Sequence, residues 1–331
     1  MSARQAAVDA LMRRRSWHWG EALPWIAAIA GFFLLPDYLQ LGTQILVMIL
    51  FALSLDLLLG YTGIVTLGHS AFFGLGAYTA GLLSVAGWHE PLSGLVAAAA
   101  VAAALGLASG FVILRTSGLA LLMLGMAITL LLYEVANDLN GLTGGADGLS
   151  GVEIAPVLGR FGFDMYGRTS YLYALSVLFV VFVLVRRIVQ APFGRSLVGI
   201  RQNPSRMQAM GVSVFARRLA VFVLSAGLAG LAGGLSAQTS QFASLDMLSF
   251  DLSGTVLLML VLGGPGRLYG AFIGATVLMI AQDGLAKENP VFWLFWLGLF
   301  VILLVVFVPG GLLGLRARLD FLRPRRDRPA R

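Results

Sequence analysis

The sequence predicts an all-α polytopic membrane protein with about ten transmembrane helices. The chain of 331 residues is 58% hydrophobic and only 12% charged, and its mean hydropathy is +0.87. These values lie outside the range of soluble domains. Because a spanning helix needs about 20 mainly apolar residues, the apolar stretches use nearly the whole chain in one membrane domain, residues 23–315.

Short polar segments separate the apolar stretches and define the expected spans. Residues 60–78, GYTGIVTLGHSAFFGLGAY, carry five glycines and a histidine within apolar sequence. This composition predicts a broken or re-entrant segment, whose non-helical backbone lies inside protein or beside a water-filled cavity. The expected spans are residues 23–39, 43–60, 69–87, 93–114, 118–138, 171–189, 219–238, 251–263, 269–286 and 291–315.

Basic residues are concentrated on one side of this arrangement. Of the 23 basic residues, 20 lie on the same side as the N-terminus. The positive-inside rule therefore predicts that both termini are cytoplasmic. The basic tail 316–331 is expected to be a topology anchor on anionic membrane lipid, since beside a final helix it does not indicate a nucleic-acid partner. The basic segment 1–22 is expected to be cytoplasmic.

Two connecting loops are long enough to form structure of their own: residues 139–170 on the outer side and the basic residues 190–218 on the inner side. The inner loop predicts a short helix with Asn203 as N-cap, Pro204 at the first helical position and a stop at Gly211. A helix of about two turns is unstable alone. We expect it to rest on a partner surface; an amphipathic connector at the lipid headgroups is the alternative.

The composition excludes several kinds of chemistry. The chain has no cysteine, and its three histidines are too scattered to suggest a metal cluster. The single lysine, Lys287, precedes Glu288, so the chain has no P-loop. If ATP drives this protein, another chain binds it, and no cofactor is expected in this chain.

Polar and glycine-rich positions in the apolar stretches are candidates for a solute pathway. Asp56 lies deep in the second span, and such acids face protein or water because exposure to lipid is costly. Glu134, near the outer end of the fifth span, lines an outer mouth or is simply solvated. Gly264 and Gly266, in GGPGRLYG, form a tight turn or a re-entrant lining.

The broken segment supplies the remaining candidates, Gly68, His69, Ser70 and Tyr78. A helix that begins near Ser70 presents its N-terminus, which favours an anionic group. A histidine alone on an apolar face, like His69, is more often a hydrogen-bonded structural residue than a ligand. We therefore expect His69 to hold the break in shape.

Several blocks, in order, resemble one known family. They are GYTGIVTLGHSAFFGLGAY, RTSGLALLMLGMAIT, TGGADGL, APFGRSLVGIRQNPSRMQAMGVSVFARRLAVFVLSAGLAGLAGGLSA and GGPGRLYGAFIGA. Together they resemble the LivM-type permease subunits of branched-chain amino-acid ABC importers. The resemblance runs from about Leu41 to Gly314.

The resemblance implies that the inner loop is the segment that couples the permease to an ATPase. The residues that carry over to this role are Arg201, Asn203, Arg206, Ala209 and Gly211. It implies a transport subunit, not an enzyme, in the bacterial inner membrane. The implied partners are a second permease of LivH type, ATP-binding subunits of LivG and LivF type that hold ATP and Mg, and a periplasmic solute-binding protein.

The sequence leaves the solute open. Asp56 stands where related permeases commonly have Asn, and Ile64 where Gln is frequent, so an amino- or amide-bearing solute other than a branched-chain amino acid is an alternative. A passive channel for urea or short amides is the rival class. An intramembrane enzyme is disfavoured because the acids are dispersed along the chain.

Overall fold

The computed structural model describes residues 19–156, 159, 161–162, 167–308 and 310–314. Most of the basic N-terminal segment, the whole basic tail and part of the 139–170 loop lie outside the described residues. The side of the molecule that carries residues 190–218 is called the inner side, following the predicted orientation.

Thirteen α-helices and no β-strand form the part of the chain that the structure describes, which confirms the predicted all-α fold. The helices are α1 (Trp19–Leu34), α2 (Leu39–Thr62), α3 (His69–Val85), α4 (Pro91–Ile113), α5 (Leu119–Asp138), α6 (Asn140–Thr143), α7 (Arg168–Gln190), α8 (Pro192–Gln202), α9 (Pro204–Ala209), α10 (Val214–Ser240), α11 (Phe250–Gly263), α12 (Leu268–Glu288) and α13 (Trp293–Phe307). Short 3-10 helices lie at Pro36–Tyr38, Gly145–Asp147 and Leu245–Leu248.

Each expected span overlaps one helix, but the count of ten spans is not confirmed. Seven helices, α2, α4, α5, α7, α10, α12 and α13, are long and apolar enough to cross a membrane. The α13 span is counted from Trp293 to Gly314, which is 22 residues. The helices α1, α3 and α11 are shorter, at 16, 17 and 14 residues. Their ends are fixed by local breaks: Pro36 follows α1, the glycine-rich segment precedes α3, and Gly264 follows α11.

Helix α2 is the centre of the bundle. Its residues from Ile49 to Leu58 are all buried, and α7, α10, α11 and α12 pack around it. A helix that is apolar on every face is stable only inside other protein or lipid. The sequence ILFALSLDLLLG therefore accounts for the central position of α2.

Helix α10 packs very closely against α3 and α4. A Cβ at Gly76 would overlap the backbone of Gly230, and one at Gly233 would overlap the carbonyl of Phe73. Small residues let helix backbones approach where lipid provides no hydrophobic drive to associate. The small-residue ridge of α10 therefore fixes the spacing of the three helices.

The predicted break near residues 60–78 is confirmed and is confined to residues 63–68, between α2 and α3. Gly63 ends α2 with φ of 74°, a conformation that favours glycine. The first residue of α3, His69, contacts Ser54, eight residues before the end of α2. At 1.5 Å per residue, the chain returns about 12 Å into the bundle before α3 begins.

We predict that Gly233→Val destabilises the protein, because the added side chain meets the Phe73 carbonyl. Overpacking of this kind costs about 1–3 kcal/mol of the free energy of unfolding. The measurement is thermal unfolding of the purified chain in detergent. Gly298→Val in α13 is the matched control, since a Cβ there meets no atom within 4 Å. Equal stability of the two variants would contradict the close packing.

Candidate functional site

Asp56 is a fully buried carboxylate near the inner end of α2. Its Oδ1 accepts a hydrogen bond of 2.7 Å from the backbone N–H of Gly266. Gly60, one turn further along α2, lies so close to both groups that a Cβ there would overlap the Asp56 carboxylate. The α11–α12 turn is therefore fastened to the central helix.

Arg201, in the last turn of α8, joins the same cluster. Its guanidinium donates a hydrogen bond to the carbonyl of Gly60 and provides positive charge near Asp56. The cluster of Asp56, Gly60, Arg201 and Gly266 is called the inner junction below. It combines two predicted pathway residues with a predicted coupling residue, although they are far apart in sequence.

The glycines of the α11–α12 turn are required by its backbone. Gly264 and Gly266 have φ values of 103° and 82°, which are unfavourable for residues with a side chain. This conformation directs the Gly266 N–H toward Asp56. In the described structure the segment is a tight turn on the inner side, one of the two alternatives predicted for it.

Helix α9 projects from the inner side. The Asn203 side chain accepts a hydrogen bond of 3.0 Å from the Arg206 N–H, which confirms the predicted N-cap. None of the residues from Pro204 to Ala209 is buried, and Gly211 follows with φ of 81°. The helix rests on α8 through Met207, which lies against Gly199. Its outward face is open to a partner.

His69 lies in a buried polar cluster between α2, α3 and α10. Its Nε2 is 2.9 Å from the Ser54 hydroxyl, which itself donates to the carbonyl of Phe51. Since the serine hydrogen is used there, the histidine Nε2 carries the proton and donates to Ser54. The ring also stacks on Phe51, with 5.5 Å between the centroids. These contacts are those of a structural residue.

The N-terminus of α3 is closed by α11. The Ser253 hydroxyl accepts a hydrogen bond of 2.9 Å from the Ser70 N–H and donates one of 2.7 Å to the Ser70 hydroxyl. Gly68 packs against the backbone of Gly125 in α5. Gly68, His69 and Ser70, all predicted for the pathway, therefore lie inside the bundle in this conformation.

A cleft of about 650 Å³ opens on the outer side, at the opposite end of α2 from the inner junction. The ends of α2, α7, α10 and α11, the 3-10 helix Leu245–Leu248, Phe73 of α3 and the middle of α12 surround it. Apolar side chains lining the cleft include Val47, Met48, Phe73, Leu252 and Met279. Its hydrogen-bonding groups are Gln40, Thr43, Gln44, Ser170, Ser236, Thr239, Ser240, Gln241, Ser244 and Asp246.

Asp246 is the one charged side chain among the residues that line this outer cleft. Tyr78, a predicted pathway residue, lies near Asp246 but packs in the apolar cluster beneath Leu245 and Leu248. Glu134 is exposed on α5 and does not line the cleft. Of the predicted pathway residues, none lines this cleft.

The sequence analysis missed the polar residues of the outer cleft. A pattern that marks them is the helical spacing of polar residues within apolar helices: Gln40, Thr43 and Gln44 at the start of α2, and Ser236, Thr239 and Ser240 at the end of α10. The second group continues to Gln241, whose φ of 54° is rare for a residue other than glycine. Backbone strain of this kind is concentrated at functional sites.

Comparison with known proteins identifies the family. Residues 38–315 match the family described as branched-chain amino acid transport system / permease component. The chain belongs to this permease family. It is a multi-pass membrane protein and a permease component, which supports the permease interpretation over the passive channel.

Two similar relatives are the high-affinity branched-chain amino acid transport system permease proteins LivM of Salmonella typhimurium and Escherichia coli. Each is 29% identical over 320 residues, which cover 88% of this chain and 73% of the relative. The ribose import permease protein RbsC of Bacillus subtilis is 27% identical over 139 residues, 38% of this chain and 42% of the relative. No solved structure matches the chain.

We predict that Asp56→Ala lowers the free energy of unfolding by about 1–3 kcal/mol, because the Gly266 N–H loses its acceptor. Asp56→Asn keeps an acceptor oxygen and should lose less than half as much. The measurement is thermal unfolding of the purified chain in detergent.

Asp283→Ala is the control for this prediction. Asp283 pairs with Lys287 at the surface of α12, and removal of an exposed pair costs about 0–1 kcal/mol. If Asp56→Ala were as mild as Asp283→Ala, the inner junction would not stabilise the fold.

Proposed function

We propose that this chain is the LivM-type permease subunit of an ATP-driven importer that moves branched-chain amino acids, or a related small polar solute, into the cytoplasm. The observation that carries the proposal is the amphipathic outer cleft at one end of α2. The other end of the same helix is fastened to the inner loop through the inner junction. One buried helix thus connects a solute-sized cleft with an exposed coupling surface.

The lining of the outer cleft is complementary to an amphipathic zwitterion. Its methionine, valine and phenylalanine side chains suit an aliphatic side chain, while Asp246 suits an ammonium group. The N-terminal turns of α2 and α7, at Gln40 and Gly167, form part of the wall. Helix N-termini favour a carboxylate. Urea or a short amide would leave the apolar part of the lining without a contact.

Coupling is proposed to begin at α9. A partner that presses on α9 moves α8, and Arg201 transmits this displacement to Gly60 of α2 and to the α11–α12 turn. ATP changes the conformation only through a partner that distinguishes the two states. The proposed partners are ATP-binding subunits of LivG and LivF type, which hold ATP and Mg. This chain has no P-loop and is proposed to have no enzymatic activity.

The proposed assembly lies in the bacterial inner membrane with both termini of this chain in the cytoplasm. A second permease of LivH type completes the membrane part. A periplasmic binding protein delivers the solute to the outer side, where the cleft opens. The support is the excess of arginines on the inner side and the family of the chain.

We predict that Gly211→Arg leaves membrane insertion intact but abolishes association with the ATP-binding subunits and solute uptake. A Cβ at Gly211 meets no atom within 4 Å, so the arginine clashes with nothing in this chain and costs only backbone strain at φ of 81°. It obstructs a surface docked on α9. Co-purification of the ATP-binding subunits and uptake are the measurements.

Gly151→Arg is the matched control for the coupling surface. Gly151 has φ of 80°, is also uncrowded and lies in the outer loop. The Gly151→Arg variant has the same backbone cost but lies on the outer side, away from α9. It should therefore retain the ATP-binding subunits. Unchanged co-purification with Gly211→Arg would refute the assignment of α9 to coupling.

We predict that Asp246→Asn and Thr239→Val raise the KM for leucine uptake without loss of assembly. The expected increase is about tenfold for Asp246→Asn, which removes the charge. Uptake of labelled leucine is measured in proteoliposomes that contain the whole complex and its binding protein. Asp138→Asn, an exposed acid outside the cleft, is the control. Normal leucine KM in both cleft variants would exclude the cleft from the pathway.

A further inference from the structure

A second cavity, on an exposed face of the inner half of the bundle, is entirely apolar in its lining side chains. It is a groove of about 700 Å³ between α4, the α7–α8 corner and the first turns of α10. The lining residues include Leu107, Ile188, Phe193, Leu219, Ala220 and Leu224. The groove is separate from the outer cleft and from the inner junction, and no transport step proposed above uses it.

Arginines border this groove at its inner end. The guanidinium carbon of Arg217 lies 5.4 Å from the centre of the Phe193 ring, which lines the groove. Arg187 is exposed and directly precedes the lining residue Ile188. Arg115 lies over Phe111, 4.3 Å from its centre. The positive charges are therefore at one end of an apolar channel.

No carboxylate of this part of the chain offsets these charges. From Arg168 to Leu245 the sequence has eight arginines and neither aspartate nor glutamate. Among the described ion pairs, none involves Arg187 or Arg217. These guanidinium groups lie beside an apolar surface and have no acidic partner among the described ion pairs. They therefore complement an anion that carries apolar chains.

The depth of the groove fits an acyl chain. Arg217 and Leu224 are seven residues apart on α10, which is about 10 Å along the helix axis. One leaflet of the hydrocarbon core is about 15 Å thick. A headgroup beside Arg217 thus places an acyl chain along most of one leaflet.

We propose that this groove binds one anionic phospholipid, with its phosphate at Arg217 and Arg187 and an acyl chain along Leu219, Ala220 and Leu224. Arginine stems lie along apolar surface while their charged ends reach the headgroup region. An anionic headgroup is favoured over a zwitterionic one because no carboxylate competes for the guanidinium groups. The bound lipid fills the gap between α4, α10 and the α7–α8 corner that leads to α9.

The test is native mass spectrometry of the purified full chain with its copurifying subunits. The complex is incubated with phosphatidylglycerol or with phosphatidylcholine of identical acyl chains. We expect one retained phosphatidylglycerol and several-fold weaker retention of phosphatidylcholine. Arg217→Gln should weaken the retention of phosphatidylglycerol about fivefold, and Ala220→Trp, which fills the groove, should abolish it.

Two further variants separate binding from misfolding and from general charge. Arg217→Lys keeps the charge and should restore most of the retention lost in Arg217→Gln. Arg267→Gln removes an exposed arginine on the same side but in the α11–α12 turn, and should retain the lipid.

Three results would overturn the proposal. One is equal retention of the two lipids by the unchanged complex. Another is a loss of phosphatidylglycerol retention in Arg267→Gln as large as the loss in Arg217→Gln. The third is an Ala220→Trp variant that loses a partner subunit while phosphatidylglycerol retention is unchanged, since a protein helix would then occupy the groove.

Discussion

The hydrogen bond from the Gly266 N–H to the buried Asp56 carboxylate is the interaction on which the inner half of the molecule depends. A carboxylate without partners at this depth would be strongly unfavourable. Gly60 leaves room for the turn to approach, and the left-handed Gly266 directs the N–H inward. Arg201 adds a positive charge and a hydrogen bond to Gly60. The inner junction thus fastens three elements that are distant in sequence.

Helix α2 connects the inner junction with the outer cleft. Its 24 residues span about 36 Å, and its outer turns, at Gln40, Thr43 and Gln44, line the cleft. Because the residues of α2 from Ile49 to Leu58 are buried on every face, this part of the helix moves only when its neighbours move with it. In the proposed coupling, a displacement of α8 at the inner side therefore changes the geometry of the cleft.

The sequence was sufficient to predict the helices, the glycine-rich break and the capped α9, because hydropathy, glycine and N-cap residues act locally. It was insufficient for the inner junction, whose hydrogen bonds join residues 141 and 210 positions apart. It predicts that His69 holds the break in shape, but it does not identify the partners: His69 contacts Ser54, and the Ser70 N–H donates to Ser253 inside the bundle. The polar residues of the outer cleft come from several helix ends. Each of them, taken alone, resembles an ordinary residue of the membrane interface.

The most direct test of the account is a pair of spin-label distances in the reconstituted complex, with and without ATP. The chain has no cysteine, so Cys pairs can be introduced at Gln40 and Ser240 across the cleft, and at Val198 and Arg267 beside the inner junction, with cysteine-free partners. The account predicts that ATP shifts the distance across the cleft and leaves the distance at the junction unchanged. A junction distance that changes while the cleft distance stays fixed would contradict it.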